Sequence, residues 1–483
     1  MKKLFTAFLL VFPLLLFAGG KDGKGHSIQI TVKGFPKDSS ARIGYYFGKN
    51  RFVAQDTAKA DKNGVLEFKG KKALPEGVYI CLMPKTYFEF LVTEQSFSLS
   101  TDTSNLELDM KVKGSKENTY FYEFRKYTTR AGKKADSISK ILAKRKNADS
   151  VKALKGQLDT INKQVIAFRK EFIAKYPGTF AVKLLKALEE PLVPETPLLP
   201  DGKKDSTFPY RYFKIHYFDN IDFSDDRIIR TPFYTGKLEY YLKNLIVPEV
   251  DSITTDVDNL IERTKVNDET FKYTLSWIVD YYEESKFMGM DAVSSHLIEK
   301  YYFSGQAKWA TAIDLASMRK RDRIVSRLLI GKKAPELYLY DSTDKLTTLY
   351  SVDKKYIILY FWDATCSHCQ HATPLLHKFY ETYKDTFDLE IYAPTVQHKL
   401  EEIKGWKKYI NEHQLGDWIN VWDSHTYYNF DKTYDIYSTP VIYILDSDKK
   451  IIAKRLDVDQ LYDFFEKLQK MENDKANEKD KKP

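Results

Sequence analysis

Residues 356–376 read "YIILYFWDATCSHCQHATPLL" and hold Cys366 and Cys369, two of the three cysteines in the chain. The continuous apolar run that ends at Trp362 is typical of a buried strand. The residues after it predict a short turn and then a helix that opens at the cysteines. Four interpretations of the pair are open at this point: a redox couple, a metal site, a haem anchor or no function.

The predicted position of the cysteines at the start of a helix favours redox chemistry. A helix N-terminus presents unpaired backbone N–H groups and the positive end of the helix dipole, and both stabilise a thiolate. In a Cys-x-x-Cys arrangement the first cysteine is usually exposed and the second lies one turn further in. We therefore expect Cys366 to be the attacking nucleophile and Cys369 to resolve the mixed disulfide. His368 is a candidate second stabiliser of the thiolate, the alternative being a histidine that is merely exposed on the turn.

The neighbouring residues weigh against the haem and metal interpretations. A covalent haem site needs histidine directly after the second cysteine, and this chain has Gln370 there. Cys366 and Cys369 with His371 and His377 would be a suitable soft donor set for zinc or copper. The two histidines lie five and eleven residues after Cys366 on one predicted helix, so convergence of all four is not expected. We predict neither a cofactor nor a metal.

Several motifs together resemble the thioredoxin fold over about residues 331–470. They are Phe361-Trp362, Cys366-x-x-Cys369, Pro374, and Thr439-Pro440 ahead of "VIYILDSDKKII". The closest likeness is to the TlpA/ResA-type thiol:disulfide oxidoreductases of the bacterial cell envelope. This resemblance implies that Pro440 is a cis-proline lying against the disulfide and that the backbone of Thr439 pairs with the substrate. It also implies that Trp362 contacts the substrate.

Two positions depart from the family pattern. Thioredoxin carries a buried aspartate six residues before its first cysteine, where this chain has Tyr360. ResA-type proteins carry a glutamate six residues after it, where this chain has Ala372. The group that deprotonates the resolving thiol is therefore not identified by the resemblance.

The rest of the chain predicts a multidomain protein, since 483 residues exceed the size of one ordinary hydrophobic core. The predicted fold class is a β-sandwich-like N-terminal domain, an α-helical middle domain and a C-terminal α/β thioredoxin-like domain. The predicted segments are a signal peptide (1–20), a β-rich domain (27–114), a helical domain of unknown function (115–330), the thioredoxin-like domain (331–470) and a charged disordered tail (471–483). The two front domains also resemble modules of unknown function that precede thioredoxin-like domains in envelope proteins.

Residues 1–20, "MKKLFTAFLLVFPLLLFAGG", combine a basic start, a short apolar run and a small-residue end. This pattern predicts a signal peptide and export to the periplasm or cell envelope. No cysteine lies near the cleavage region, so we do not expect a lipoprotein. The formal net charge of +9 is spread among interleaved acids and bases, which argues against nucleic-acid binding.

One stripe in the helical region bears on oligomeric state. Its apolar residues recur at spacings of three and four: Val151, Leu154, Leu158, Ile161, Val165, Phe168 and Phe172. Such a stripe either packs on its own domain, which the short length favours, or forms the seam of a homodimer. Cys81 alternates within an apolar strand and is expected to be buried and inert.

The sequence thus predicts a protein thiol:disulfide oxidoreductase whose partners are client proteins with thiols or disulfides and a membrane electron donor or acceptor. The direction of electron flow stays open, because His368 favours an oxidant and the family resemblance implies a reductant. The alternative function is a non-catalytic envelope binding protein that uses the thioredoxin-like domain as a scaffold.

Overall fold

The computed structural model describes residues 25–48, 52–145, 147–285 and 287–479. The predicted signal peptide, residues 1–20, lies outside these ranges. The described residues divide into two compact units, one of residues up to 246 together with 262–273 and the other of residues 247–261 together with those from 274 onward. The division falls inside the predicted helical domain, and the domain limits given above stay predictions.

The first unit begins with a β-rich region. Its strands are β1 His26–Lys33, β2 Ser40–Tyr46, β3 Phe52–Lys59, β4 Val65–Gly70, β5 Gly77–Leu82, β6 Tyr87–Val92, β7 Ser96–Asp102 and β8 Lys111–Lys113. Within the described residues they form two four-stranded sheets, in the orders β4-β1-β7-β8 and β3-β2-β5-β6. Side chains of both sheets share one buried cluster, which confirms the predicted sandwich. Within the first of these sheets, β1 pairs with β7 in parallel.

The helices that follow in the chain are α1 Lys116–Leu142, α2 Ala148–Lys175, α3 Phe180–Ala187, α4 Phe208–His216, α5 Tyr234–Tyr240, α6 Val250–Thr264, α7 Asp268–Glu283, α8 Asp291–Leu297 and α9 Ala312–Val325. The predicted apolar stripe lies on α2. Phe168 stacks on Tyr127 of α1 with 3.8 Å between ring centroids. Phe172 packs on Phe124 of α1 at 5.3 Å. The stripe therefore packs within its own unit, and the homodimer stays a prediction.

The second unit contains a seven-stranded sheet, counted over the described residues. Its strands are β9 Tyr338–Asp341, β10 Leu346–Thr348, β11 Tyr356–Phe361, β12 Leu389–Pro394, β13 Ile419–Trp422, β14 Val441–Asp446 and β15 Ile451–Lys454. The order is β10-β9-β13-β12-β11-β14-β15. Central β11 pairs in parallel with β12 and antiparallel with β14. Every residue of β11 is buried, as expected for a strand covered on both faces.

The two faces of this sheet are covered differently. Ile358, Tyr360 and Trp362 point to the face that packs against α10 Ser367–Phe387, α11 Leu400–Glu412 and α13 Leu461–Lys479. Ile357 and Leu359 point to the other face, where α12 Phe430–Thr433 packs. The predicted α/β domain is confirmed, and alternation along β11 places α10, which carries the cysteines, over the Trp362 side.

The predicted disordered tail begins inside a helix, because α13 continues to Lys479. Glu472 accounts for part of this order. It accepts hydrogen bonds from the Tyr356 hydroxyl at 2.6 Å and from Lys355 Nζ at 2.7 Å, so the helix is tied to the start of β11. The structure thus continues α13 through residues 471–479, residues 480–483 lie outside the described ranges, and the disordered tail stays a prediction.

The described helices were also compared with the thickness of a bilayer. Throughout residues 25–479, apart from the short gaps named above, none combines the length and the hydropathy that a transmembrane helix requires.

Replacing Phe172 tests the packing of α2 on α1. Its side chain is 1% exposed, so Phe172→Ala should lower the free energy of unfolding by about 3–5 kcal/mol. Ile166→Ala is the matched control, because Ile166 is 47% exposed on the same helix. Chemical denaturation measures both. Equal effects of the two substitutions, or an unfolding midpoint that rises with protein concentration, would contradict packing within one chain.

Candidate redox site

A tight turn after β11 places the first cysteine. Asp363 Oδ1 accepts hydrogen bonds from the backbone N–H and the hydroxyl of Thr365, both at 2.7 Å. The Cys366 N–H then donates to the Asp363 carbonyl at 3.1 Å. Sequence reasoning did not single out Asp363, although Asp followed by Thr two residues later is a common turn pattern. The turn leaves Cys366 as the residue that caps α10, which confirms the predicted helix start.

Cys366 is half-buried, and its Sγ lies 3.4 Å from the carbonyl oxygen of Thr439. Burial alone would raise the pKa of Cys366. The backbone N–H of Cys369, the Thr439 side chain and the backbone N–H of His368 outweigh that effect, so the pKa is lowered from its ordinary value. These N–H groups are free because they belong to the first turn of a helix. Cys366 is therefore the cysteine that is both accessible and activated.

Cys369 lies one turn further along α10 and is fully buried. The Asp363 N–H donates to its Sγ at 3.5 Å. Burial raises the pKa of Cys369 to about 12. Both cysteines are free thiols, so the structure shows the reduced pair. This asymmetry matches a pair with an outer nucleophile and an inner resolving thiol.

The Thr439–Pro440 peptide bond is cis, as the family resemblance implies. Both residues are half-buried, and β14 begins immediately after them with Val441 opposite Phe361 of β11. The structure thus brings Thr439 and Pro440 to Cys366, although they lie more than 70 residues later in the chain. Their predicted role in client binding stays a prediction.

Trp362 occupies a different place from the one expected. Its side chain is fully buried, stacks on Tyr360 with 6.2 Å between ring centroids, and meets Tyr409 of α11 edge-on at 5.5 Å. A client cannot touch this side chain in the conformation described. Trp362 instead packs in the buried cluster that also contains Cys369. The reason is the alternation of β11, which turns Trp362 toward α10 and α11.

His368 is exposed on the first turn of α10. Its contribution to the thiolate comes from its backbone N–H, which any non-proline residue at this position would supply. The expectation that its ring stabilises the thiolate stays a prediction.

Neutral residues, Tyr360 and Ala372, occupy the two positions where thioredoxin and ResA-type proteins carry an acidic residue. Tyr360 is fully buried, and its hydroxyl forms a hydrogen bond of 3.0 Å with Thr373 Oγ1. Burial raises the pKa of Tyr360, so the phenol stays protonated and cannot accept the proton of Cys369. Ala372 is half-buried and has no ionisable group.

The sulfur and imidazole donors considered from the sequence do not converge. Among the described residues, the cluster with metal-ligand spacing is His377, Glu381 and Asp417, whose ligand atoms lie within 4.8 Å of one another. Lys384 Nζ lies 2.7 Å from Glu381 and 3.4 Å from Asp417, so these carboxylates already have a cation. This cluster contains neither cysteine.

The fold and the site together define a thioredoxin-like domain with an activated cysteine pair. Comparison with known families agrees: residues 353–451 match the thioredoxin-like family model. Residues 26–121 and 186–325 match two domains of unknown function, DUF4369 and DUF5106.

The chain is also similar to individual proteins. It is 25% identical over 128 residues to the thiol-disulfide oxidoreductase ResA of Bacillus cereus, which covers 26% of this chain and 70% of that protein. It is 44% identical to a solved domain of a possible thiol-disulfide isomerase from Cytophaga hutchinsonii, covering 30% of this chain and 97% of that one, with a TM-score of 0.29. It is 32% identical to the solved thioredoxin domain of a Bacteroides vulgatus thiol-disulfide oxidoreductase, covering 29% and 98%, with a TM-score of 0.26. Residues 353–451 thus form a thioredoxin-like domain, and the protein is an enzyme of the thiol:disulfide oxidoreductase class.

Alkylation separates the three thiols by their environments. In the reduced, folded protein, iodoacetamide at pH 7 should label Cys366 first, because the thiolate is the reactive form and its pKa is lowered. Cys369 and Cys81 should react only after unfolding, since both are buried and burial raises each pKa to about 12. Peptide mass spectrometry over a time course measures this order. Labelling of Cys369 or Cys81 as fast as Cys366 would contradict the site geometry.

Proposed function

We propose that this protein is an exported thiol:disulfide oxidoreductase that exchanges disulfides with client proteins of the cell envelope through Cys366 and Cys369. The observation that carries the proposal is the placement of Cys366 Sγ: half-buried, at the first turn of α10 and 3.4 Å from the Thr439 carbonyl. Cys369 lies directly behind it in the same turn.

The geometry supports a two-step exchange. The Cys366 thiolate attacks a client disulfide, one client sulfur leaves as a thiolate, and a mixed disulfide forms. Cys369 then loses its proton and attacks Cys366 Sγ, which releases the second client sulfur and leaves a Cys366–Cys369 disulfide. Two electrons pass to the client, and the released thiolates take up two protons. The same steps in reverse oxidise a client dithiol.

The exchange requires a second partner. Each turnover leaves the pair in the opposite redox state, so a second electron donor or acceptor must restore it, and our proposal assigns this role to a membrane protein. The proposal therefore includes two kinds of partner, clients that bind beside Thr439 and Pro440 and a membrane protein that resets the couple. The exposed position of Cys366 relative to Cys369 supports access by both.

A cysteine substitution tests the activity. In the Cys369→Ser variant the second step is blocked, so clients should accumulate as mixed disulfides on Cys366 that dithiothreitol releases. The measurement is non-reducing electrophoresis after thiol quenching of cells, followed by mass spectrometry of the captured proteins.

Two matched controls make the trapping result specific. Cys366→Ser removes the nucleophile and should capture nothing, and Cys81→Ser should behave as the unmodified chain because Cys81 is buried. An absence of mixed disulfides in the Cys369→Ser variant under both oxidising and reducing loads would reject the proposal and favour the scaffold alternative.

Export is the second part of the proposal, and the sequence of residues 1–20 supports it. A variant that lacks residues 1–20 should stay in the cytoplasm. The protein expressed with these residues should reach the envelope fraction, and residues 1–20 should be cleaved off during export. Cell fractionation with mass spectrometry of the mature N-terminus measures both. Retention of residues 1–20 on an exported protein, or unchanged localisation of the deletion variant, would contradict a cleaved signal peptide.

A further inference from the structure

A buried carboxylate, that of Asp435, lies four residues before Thr439 of the cis peptide bond. Asp435 is 7% exposed and adopts a φ of 59°, a left-handed conformation that aspartate tolerates better than most residues. Two guanidinium groups hold it. Arg321 bonds both carboxylate oxygens, through Nη1 and, at 3.1 Å, through Nη2, and Arg455 Nη2 lies 2.5 Å from Oδ2. A carboxylate bound by such a fork has a fixed direction as well as a fixed place.

The segment between Asp435 and Cys366 is short and anchored at both ends. Ile436 is buried, and its N–H donates to the Phe430 carbonyl at 3.2 Å. Tyr437 and Ser438 are exposed, and the segment then reaches Thr439, whose carbonyl contacts Cys366 Sγ. Beyond Pro440 the chain enters β14 and is held by the ladder with β11. We call residues 437–440 the cis-proline loop; Asp435 fixes one end of it and β14 the other.

Arg321 reaches this loop from outside the thioredoxin-like match. It belongs to α9, within residues 186–325, which match a domain of unknown function. Helix α9 is itself fixed within the same compact unit, because Asp322 accepts a hydrogen bond of 2.7 Å from Ser295 of α8. Asp291 of α8 in turn pairs with Lys454 of β15, whose Nζ also donates to the Leu328 carbonyl at 2.7 Å. The guanidinium of Arg321 therefore comes from a helix with a defined position.

We propose that Arg321 is a positioning residue of the redox site: through Asp435 it holds the cis-proline loop against Cys366 and so sets the reactivity of that thiol. The proposal gives the end of the helical region a role in the chemistry of the C-terminal domain. Its catalytic consequence rests on the function proposed above. The physical reason is that the hydrogen bond from the Cys366 thiol to the Thr439 carbonyl weakens steeply as its distance and angle change. Release of one loop anchor therefore alters the balance between thiol and thiolate at Cys366.

The test is the rate of Cys366 alkylation by iodoacetamide as a function of pH, in the reduced full-length protein. Arg321→Ala should change the rate of alkylation at pH 7 by about 2- to 30-fold, the range typical of coupling through a packed network. The midpoint of the pH profile should shift with the rate, because Thr439 acts on both forms of Cys366: its carbonyl accepts a hydrogen bond from the thiol, and its side chain lowers the pKa of Cys366. The plateau rate at high pH should stay unchanged. A purely structural role would lower the melting temperature without moving this midpoint.

Arg323→Ala is the matched control, since Arg323 is exposed on the same helix and its loss removes the same charge. It should retain the wild-type profile. Arg321→Lys keeps the charge but loses the contact with both carboxylate oxygens. It should shift the midpoint in the same direction as Arg321→Ala, but by less. This variant tests the role of Arg321 even if the alanine variant fails to fold. Profiles of the Arg321 variants that superimpose on that of Arg323→Ala would overturn the proposal. The two proposals can fail separately. If the Cys369→Ser variant captures no clients, the proposed function is overturned. The alkylation profiles test the role of Arg321 whatever the outcome of that trapping experiment.

Discussion

The contact of 3.4 Å between Cys366 Sγ and the Thr439 carbonyl depends on the register of two strands. Antiparallel β11 and β14 pair Phe361 with Val441, so the end of one strand and the start of the other meet at the same edge of the sheet. The turn with the cysteines follows Phe361, and the cis-proline loop precedes Val441. A shift of one residue would turn the buried side chains of β11 to the opposite face and separate the two segments. The chemistry of the site is therefore a consequence of the β11–β14 ladder.

Depth creates the difference between the two thiols. Helix α10 has one buried face, which carries Cys369, Thr373 and Leu376, whereas Cys366 caps the helix at its half-buried end. One turn of helix therefore separates half-buried Cys366 from fully buried Cys369. Burial is the main reason that the pKa of Cys369 is raised, and the neighbouring Cys366 adds to it. When Cys366 enters a mixed disulfide it carries no charge, so its contribution to that rise disappears. The resolving thiol is thus easier to deprotonate at the step that needs it, and the neutral Tyr360–Thr373 pair takes no part in that change.

Much of the site could be predicted because its parts carry local patterns. The apolar run before Trp362, the Cys-x-x-Cys spacing and Thr439-Pro440 each identify an element, and all three elements occur where expected. Other features depend on contacts between residues remote in sequence, which periodicity does not report. Arg321 and Asp435 are 114 residues apart, and Glu472 accepts a hydrogen bond from the Tyr356 hydroxyl 116 residues earlier in the chain. The apolar run predicts the buried strand that ends at Trp362, but the resemblance assigns this side chain a substrate contact without stating which face of the strand it occupies.

The reduction potential of the Cys366–Cys369 couple, measured by equilibration against glutathione, tests the central claim most directly. A pair that works as a redox centre should lie between about −270 mV and −120 mV, the range spanned by thioredoxin and DsbA, because the reduced form is stabilised at Cys366. A value below about −300 mV, typical of a structural disulfide, would contradict the assignment of these two cysteines as a redox centre.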